Sequence, residues 1–115
     1  AAAEAERERL ERQERERREK LLAENAKDIR AALSESWRIP AGTPIGTRAV
    51  LFIDVDRDGS VRSVRVSESS GNPGFDQSAK AAVYAAEPLP LPSDPEIASF
   101  YDAGIEMPFV YQSND

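Results

Sequence analysis

Residues 49–67 read AVLFIDVDRDGSVRSVRVS, and this stretch decides the fold. Val50, Leu51, Phe52, Ile53 and Val55 make the first run apolar at nearly every position, with the β-branched and aromatic content of a strand. Asp56-Arg57-Asp58-Gly59 is a tight-turn sequence. From Val61 to Ser67 the chain returns as a second strand, in which Arg62, Val64 and Val66 alternate with Ser63, Arg65 and Ser67. A continuously apolar strand suits the centre of a sheet, and an alternating charged one suits an edge. Asp54-x-Asp56-x-Asp58-Gly59 also matches the first half of a calcium loop, with Val61 at its apolar position. Where that loop requires a bidentate carboxylate, this chain has Arg65, and the flanks are strands. The stretch therefore reads as a β-hairpin, and no metal ligands are assigned.

Downstream, Ser69-Ser70-Gly71-Asn72-Pro73-Gly74 is a tight loop, with no His and no nucleophile elbow to make either serine reactive. Asp76 is placed to cap a helix from Gln77 to Ala86, with Ala79, Ala82, Val83 and Ala86 facing the core. Pro88 stops it. Pro88-Leu89-Pro90-Leu91-Pro92 reads as an extended connector that buries Leu89 and Leu91. Ser93 or Asp94 caps a short helix with Pro95 in its first turn, and Ser93-x-x-Glu96 fits a capping box. Ile97, Phe100 and Tyr101 form its expected buried side, and Gly104 ends it. Ile105 to Tyr111 is a final strand. Upstream, Leu22, Ala26, Ile29, Leu33 and Trp37 recur at helical spacing and make one apolar face. That helix ends before Pro40, and residues 40–47 are a loop. The order predicts an α+β fold: a three-stranded antiparallel sheet with helices packed on one face, preceded by a charged solvent-exposed helix. No internal repeat is visible.

That leading helix is set apart by its charge. Of 115 residues, the first 30 hold nine basic and nine acidic side chains, so the net charge of −6 sits in the other 85. Those 85 also hold 20 of the 24 Leu, Ile, Val and Phe residues. Between Glu4 and Lys20 the single large apolar residue is Leu10, which leaves no coiled-coil seam. Glu8–Arg12, Glu11–Arg15, Glu14–Arg18 and Glu16–Lys20 are expected i,i+4 pairs, each worth about 0.2–0.5 kcal/mol. The expected division is 1–24, the end of a charged helical stalk acting as a spacer, and 25–115, an interaction domain.

Composition narrows the function. Six scattered basic residues in an acidic domain make no phosphate-binding stripe, so nucleic acid is not an expected partner. No apolar run reaches membrane-spanning length, so this fragment is not expected to contact a membrane. The chain has no Cys and no His. Thiolate and imidazole chemistry are therefore absent, and no catalytic residue or cofactor is assigned.

The remaining candidate is a strand edge. Antiparallel order is most easily met with the second strand at one edge, the first strand central and the final strand at the other edge. Pro108 has no N–H, so it is tolerated only where its nitrogen faces outward. That phases the last strand: Glu106, Pro108 and Val110 face the open edge, while Ile105, Met107, Phe109 and Tyr111 bond to the first strand. Ile105, Glu106, Met107, Pro108, Phe109, Val110 and Tyr111 are thus the expected partner-binding residues, through addition of a partner strand.

Trp37-Arg38-Ile39-Pro40, then a strand, a D-x-x-G turn and Ser60-Val61-Arg62-Ser63-Val64-Arg65-Val66, resemble the C-terminal domain family of TolA and TonB. Ser69-Ser70-Gly71-Asn72, Phe75-Asp76, Ser78-Ala79, Ala82-Val83 and Pro88-Leu89-Pro90-Leu91-Pro92 are closer to the TolA pattern. TonB-like domains usually show Tyr-Pro at the first helix end. Some TolA domains carry a disulfide, which a chain without Cys lacks. The resemblance implies a periplasmic, non-enzymatic module of a Tol-Pal type system, in a full-length protein anchored in the inner membrane of a Gram-negative bacterium. It implies TolB and Pal as partners, with TolQ and TolR engaged through an N-terminal part outside this fragment. It further implies roles in outer-membrane integrity and cell division, and use by colicin translocation domains and by the minor coat protein of filamentous phage. The alternative within the family is a TonB-type domain engaging outer-membrane transporters.

Overall fold

The computed structural model describes residues 1–112. Its elements are α1 (Ala2–Ser36), β1 (Arg48–Val55), β2 (Val61–Glu68), α2 (Pro73–Ala85), α3 (Pro95–Ala98) with a 3-10 turn at Ser99–Tyr101, and β3 (Ile105–Val110). The sheet order is β2-β1-β3, antiparallel throughout. The apolar β1 is central, as its sequence requires. Leu51 lies opposite Val66 and Met107, and Ile53 opposite Val64 and Ile105. These side chains share the face on which Ile29 and Leu33 of α1 and Phe75, Ala79, Ala82 and Val83 of α2 close the core. The α+β layout read from the sequence is the one observed.

Helix α1 is continuous through the charged leader and the apolar face, with no break near residue 24. The leader's described ion pairs are Glu6–Arg9 and Glu14–Arg17, both i,i+3, in place of the i,i+4 pairs expected. Glu14 pairs with Arg17, and the Arg18 guanidinium lies instead 5.1 Å over the Phe100 ring. Phe100 is consequently not a core residue: it is 47% exposed, while Ile97 of the same segment is buried. Asn25 is buried on α1 although it is polar. Its Nδ2 donates to the Pro90 carbonyl at 2.8 Å, which ties α1 to the proline connector, and its Oδ1 has no partner.

One helix start differs from expectation, and at another the structure chooses between two expected caps. Helix α2 begins at Pro73, and its cap is Asn72, whose side chain accepts from Gly74 N–H and Phe75 N–H. Asp76 sits one turn inside, where it accepts from the Ser69 and Ser70 hydroxyls and the Ser70 N–H. Asn72 wins because Pro73 follows it, with a preset helical φ and no N–H to satisfy. At α3, Asp94 is the cap, bonded by Glu96 N–H at 2.9 Å, so the box from Ser93 does not form.

The connections are ordered by short-range bonds. Against the expectation of no internal repeat, residues 40–47 are two successive Pro-x-Gly-Thr turns, each closed by the threonine hydroxyl donating to the proline carbonyl. In the β1–β2 hairpin Asp54 accepts from Ser63, Asp56 pairs with Arg62, and Asp58 accepts from Ser60 N–H. The three carboxylates are thus spent separately on the turn. Gly59 closes it at φ +90°, and a Cβ there would lie 2.4 Å from the Leu89 carbonyl oxygen. Leu89 N–H donates to Gly59 O at 2.9 Å, so the connector latches onto the hairpin and buries Leu89.

Candidate functional site

Strand β3 is the sheet edge nearest α1. Its phase is visible at its end: Tyr111 N–H donates to Thr47 O at 2.9 Å, and Gly46 N–H donates to Tyr111 O at 2.7 Å. By alternation Phe109, Met107 and Ile105 bond towards β1, while the backbone groups of Val110, Pro108 and Glu106 point away from the sheet. Register runs without irregularity from Arg48–Val110 to Ile53–Ile105. Side chains alternate as well, with Ile105, Met107 and Phe109 buried and Glu106 and Pro108 exposed.

The turn into β3 is built tightly. Gly104 has φ +103°, and a Cβ on it would meet the Phe52 ring at 2.2 Å. Asp102 just before it takes a two-pronged bond from Arg57 of the hairpin, with Nε and Nη2 both at 2.6 Å. The bond to Arg57 holds the Asp102 carboxyl below the ordinary carboxylate range. Both side chains are exposed, so solvent screens the pair and it chiefly fixes the geometry of the turn.

Helix α1 supplies the opposite wall. A cavity of about 370 Å³ is lined by Leu33, Ser34 and Trp37 of the helix end and by Met107 to Val110. A second, of about 480 Å³, is lined by Leu22, Ala26 and Ile29 and by Tyr101, Gly104 and Ile105 to Pro108. Arg30, Met107 and Pro108 line both. The two are therefore neighbouring stretches of one groove along the open strand. Burial pushes the Tyr101 phenol up at that end of the groove.

Trp37 braces the groove. Its ring meets Phe75 and Phe109 edge-on, with centroids 5.4 and 5.1 Å away. Its Nε1 donates to the Ser78 hydroxyl at 3.0 Å, which satisfies the one polar atom of the ring. Trp37 is therefore both a core aromatic and a groove residue.

The seven strand residues singled out by sequence lie together on this edge. The α1 residues that make it a groove read in sequence only as a core-facing helix side, and nothing there singles out Arg30 or Ser34. Their signal was the apolar spacing of the helix, which does not say where the helix crosses the sheet. Among the described residues no three metal-ligating side chains gather, and no helix is long and apolar enough to cross a membrane. The arrangement offers backbone hydrogen bonds and apolar surface, the means of binding an extended chain.

A family model described as "TonB C terminal" matches residues 23–107. Among solved structures, a chain described as TolAIII bound to a peptide derived from the N-terminus of TolB is similar to this one. The match has a TM-score of 0.62 and 28% identity, and covers 76% of this chain and 72% of that chain. No curated protein matches at a significant level.

Proposed function

The chain belongs to the TonB C-terminal domain family, and from that premise we propose that it is a Tol-type protein-interaction domain whose open β3 edge receives an extended partner strand. The family is one of non-enzymatic interaction domains that work in the periplasm. The observation that carries the proposal is the unpaired edge itself: two outward N–H groups, on Glu106 and Val110, beside an apolar groove. Such an edge pairs with an added strand through main-chain bonds, and flanking pockets select alternate side chains. Similarity to a TolAIII chain solved with a TolB-derived peptide supports TolB as the first partner.

On this reading residues 1–24 are the end of a charged stalk and residues 25–115 the interaction domain. The larger setting is a Tol-Pal type system that links inner-membrane energy, through TolQ and TolR, to outer-membrane partners including Pal. Its process is outer-membrane integrity during cell division. Colicin translocation domains and a phage minor coat protein would exploit the same edge. A TonB-type reading, with outer-membrane transporters as partners, is favoured by the family model and disfavoured by the TolAIII likeness.

One titration separates these readings. The N-terminal segment of TolB from the same organism is added to the isotope-labelled chain, and separately a periplasmic segment of an outer-membrane transporter. The expected result is movement of the Glu106 and Val110 amides with the TolB segment. Movement with the transporter segment alone establishes the TonB-type reading. Shifts that spare both amides refute edge pairing.

A further inference from the structure

The groove beside β3 is not uniformly apolar. Arg30 stands where its two stretches meet, at the level of Met107 and Pro108. It is exposed, and no carboxylate among the described residues forms an ion pair with it. Glu106 reaches the second stretch but does not pair with Arg30, and its exposed side chain alternates with the buried ones towards the helix-free face of the sheet. The helix-side face of the groove therefore presents one cation between two apolar hollows.

A strand added to β3 lies about 4.8 Å from it and turns every second side chain to that face. The side chain arriving beside Met107 and Pro108 meets the guanidinium. Its neighbours two positions away lie about 6.6–6.8 Å to either side along the strand. One enters the hollow formed by Leu33, Trp37 and Phe109, the other that formed by Ala26, Ile29 and Tyr101.

We propose that this edge selects an extended segment in which an acidic residue, paired with Arg30, is flanked two positions away on each side by apolar residues. The proposal rests on the edge-pairing reading above and adds the chemistry of the partner. Charge complementarity decides the central position, because an arginine fork binds a carboxylate by two parallel hydrogen bonds. A second copy of this chain offers no acid to Arg30, and Pro108 interrupts the donor row it would pair with. Its own β3 would bring Ile105, Met107 and Phe109 to this face, all held in its core, and no acid with them.

The probe is a pair of peptides of about eleven residues in which Thr alternates with Val, one with Asp and one with Lys replacing the central Val. Each is titrated into the labelled full chain. The Asp peptide is expected to bind about fivefold more tightly, the size of one exposed ion pair. Arg30→Gln removes the preference, and Arg30→Glu reverses it. Equal affinities, with the Glu106 and Val110 amides moving, overturn the acid preference and leave edge pairing standing. An Asp preference that survives Arg30→Gln also overturns it, since another group is then reading the acid. If neither amide moves with either peptide, edge pairing fails and this proposal fails with it.

Discussion

Strands β2 and β3 are both edges of one sheet, yet they guard their open backbone groups by different means. Strand β2 has register shifts at both of its ends and carries exposed Arg62, Ser63, Arg65, Ser67 and Glu68. Its first N–H, on Val61, is taken by the Glu87 carboxylate at 2.9 Å. Strand β3 has no register shift, and one residue, Pro108, interrupts its outward row of donors. It also faces a groove, whereas β2 has none described beside it. Charge, bulging and capping are redundant protections against a foreign strand, and a single proline is a selective one. The difference is what the edge-pairing proposal draws on in choosing β3 over β2.

The largest effect should come from unbracing that edge. Trp37→Ala removes the contacts with Phe75 and Phe109 and is expected to cost about 3–5 kcal/mol, read as a lowered denaturation midpoint. The matching change near β2 is Arg65→Ala, which uncovers the Phe52 ring at 4.5 Å and should cost only about 0.5–1 kcal/mol. Equal costs would mean that β3 is no better anchored than β2.

A smaller effect is expected where β2 leaves the sheet. Burial of Asp76 opposes its ionisation, but bonds from Ser69 and Ser70 outweigh that and hold its carboxyl below the ordinary range. A lowered folded pKa stabilises the fold above the unfolded value of about 3.9, and this contribution is lost as pH falls through the folded pKa. Asp76→Asn should therefore flatten the acid limb of the stability curve below about pH 4 while leaving binding at β3 unchanged. An unaltered acid limb would show that the β2 exit is not pinned by this carboxylate.

The smallest change in stability, within about 0.5 kcal/mol, is expected for Pro108→Val, which sits on the exposed side of β3. It restores an outward N–H between those of Glu106 and Val110. Sedimentation should then show concentration-dependent self-association, while Arg62→Val on β2 remains monomeric. Association of the β2 variant alone would reverse the assignment of the two edges.

Much of this contrast was legible in the residues. The apolar run at 50–55 demanded the sheet centre, and one proline phased β3. Local preference failed where two good candidates competed. Asn72 and Asp76 both cap helices well, and Pro73 decided between them. Phe75 falls between the expected loop at 69–74 and the expected cap at Asp76, a position given to no element, so the largest fully buried side chain of the core is not anticipated there. The groove was hidden for another reason. Arg30, three residues before Leu33, falls on the flank of the apolar helix face, where a helical wheel alone gives it no role, and only the packing of α1 across the sheet brings it beside Pro108. Phe100 has the composition of a core residue, but Arg18 takes its ring from 82 positions away in the chain.

Helix α1 runs unbroken from Ala2 to Ser36, and every residue before Arg18 is exposed. Arg18, half-buried on Phe100, is thus the fulcrum of a lever whose short arm forms one side of the groove and whose long arm lies in water. Phe100 itself lines the groove's second stretch, so the fulcrum rests on a wall of the groove. On the edge-pairing reading, a tilt of the long arm that changed the width of the slot would change its occupancy, and an occupant would bias the tilt. Thermodynamic reciprocity makes the two effects equal: whatever factor a given tilt adds to occupancy, occupancy returns to that tilt.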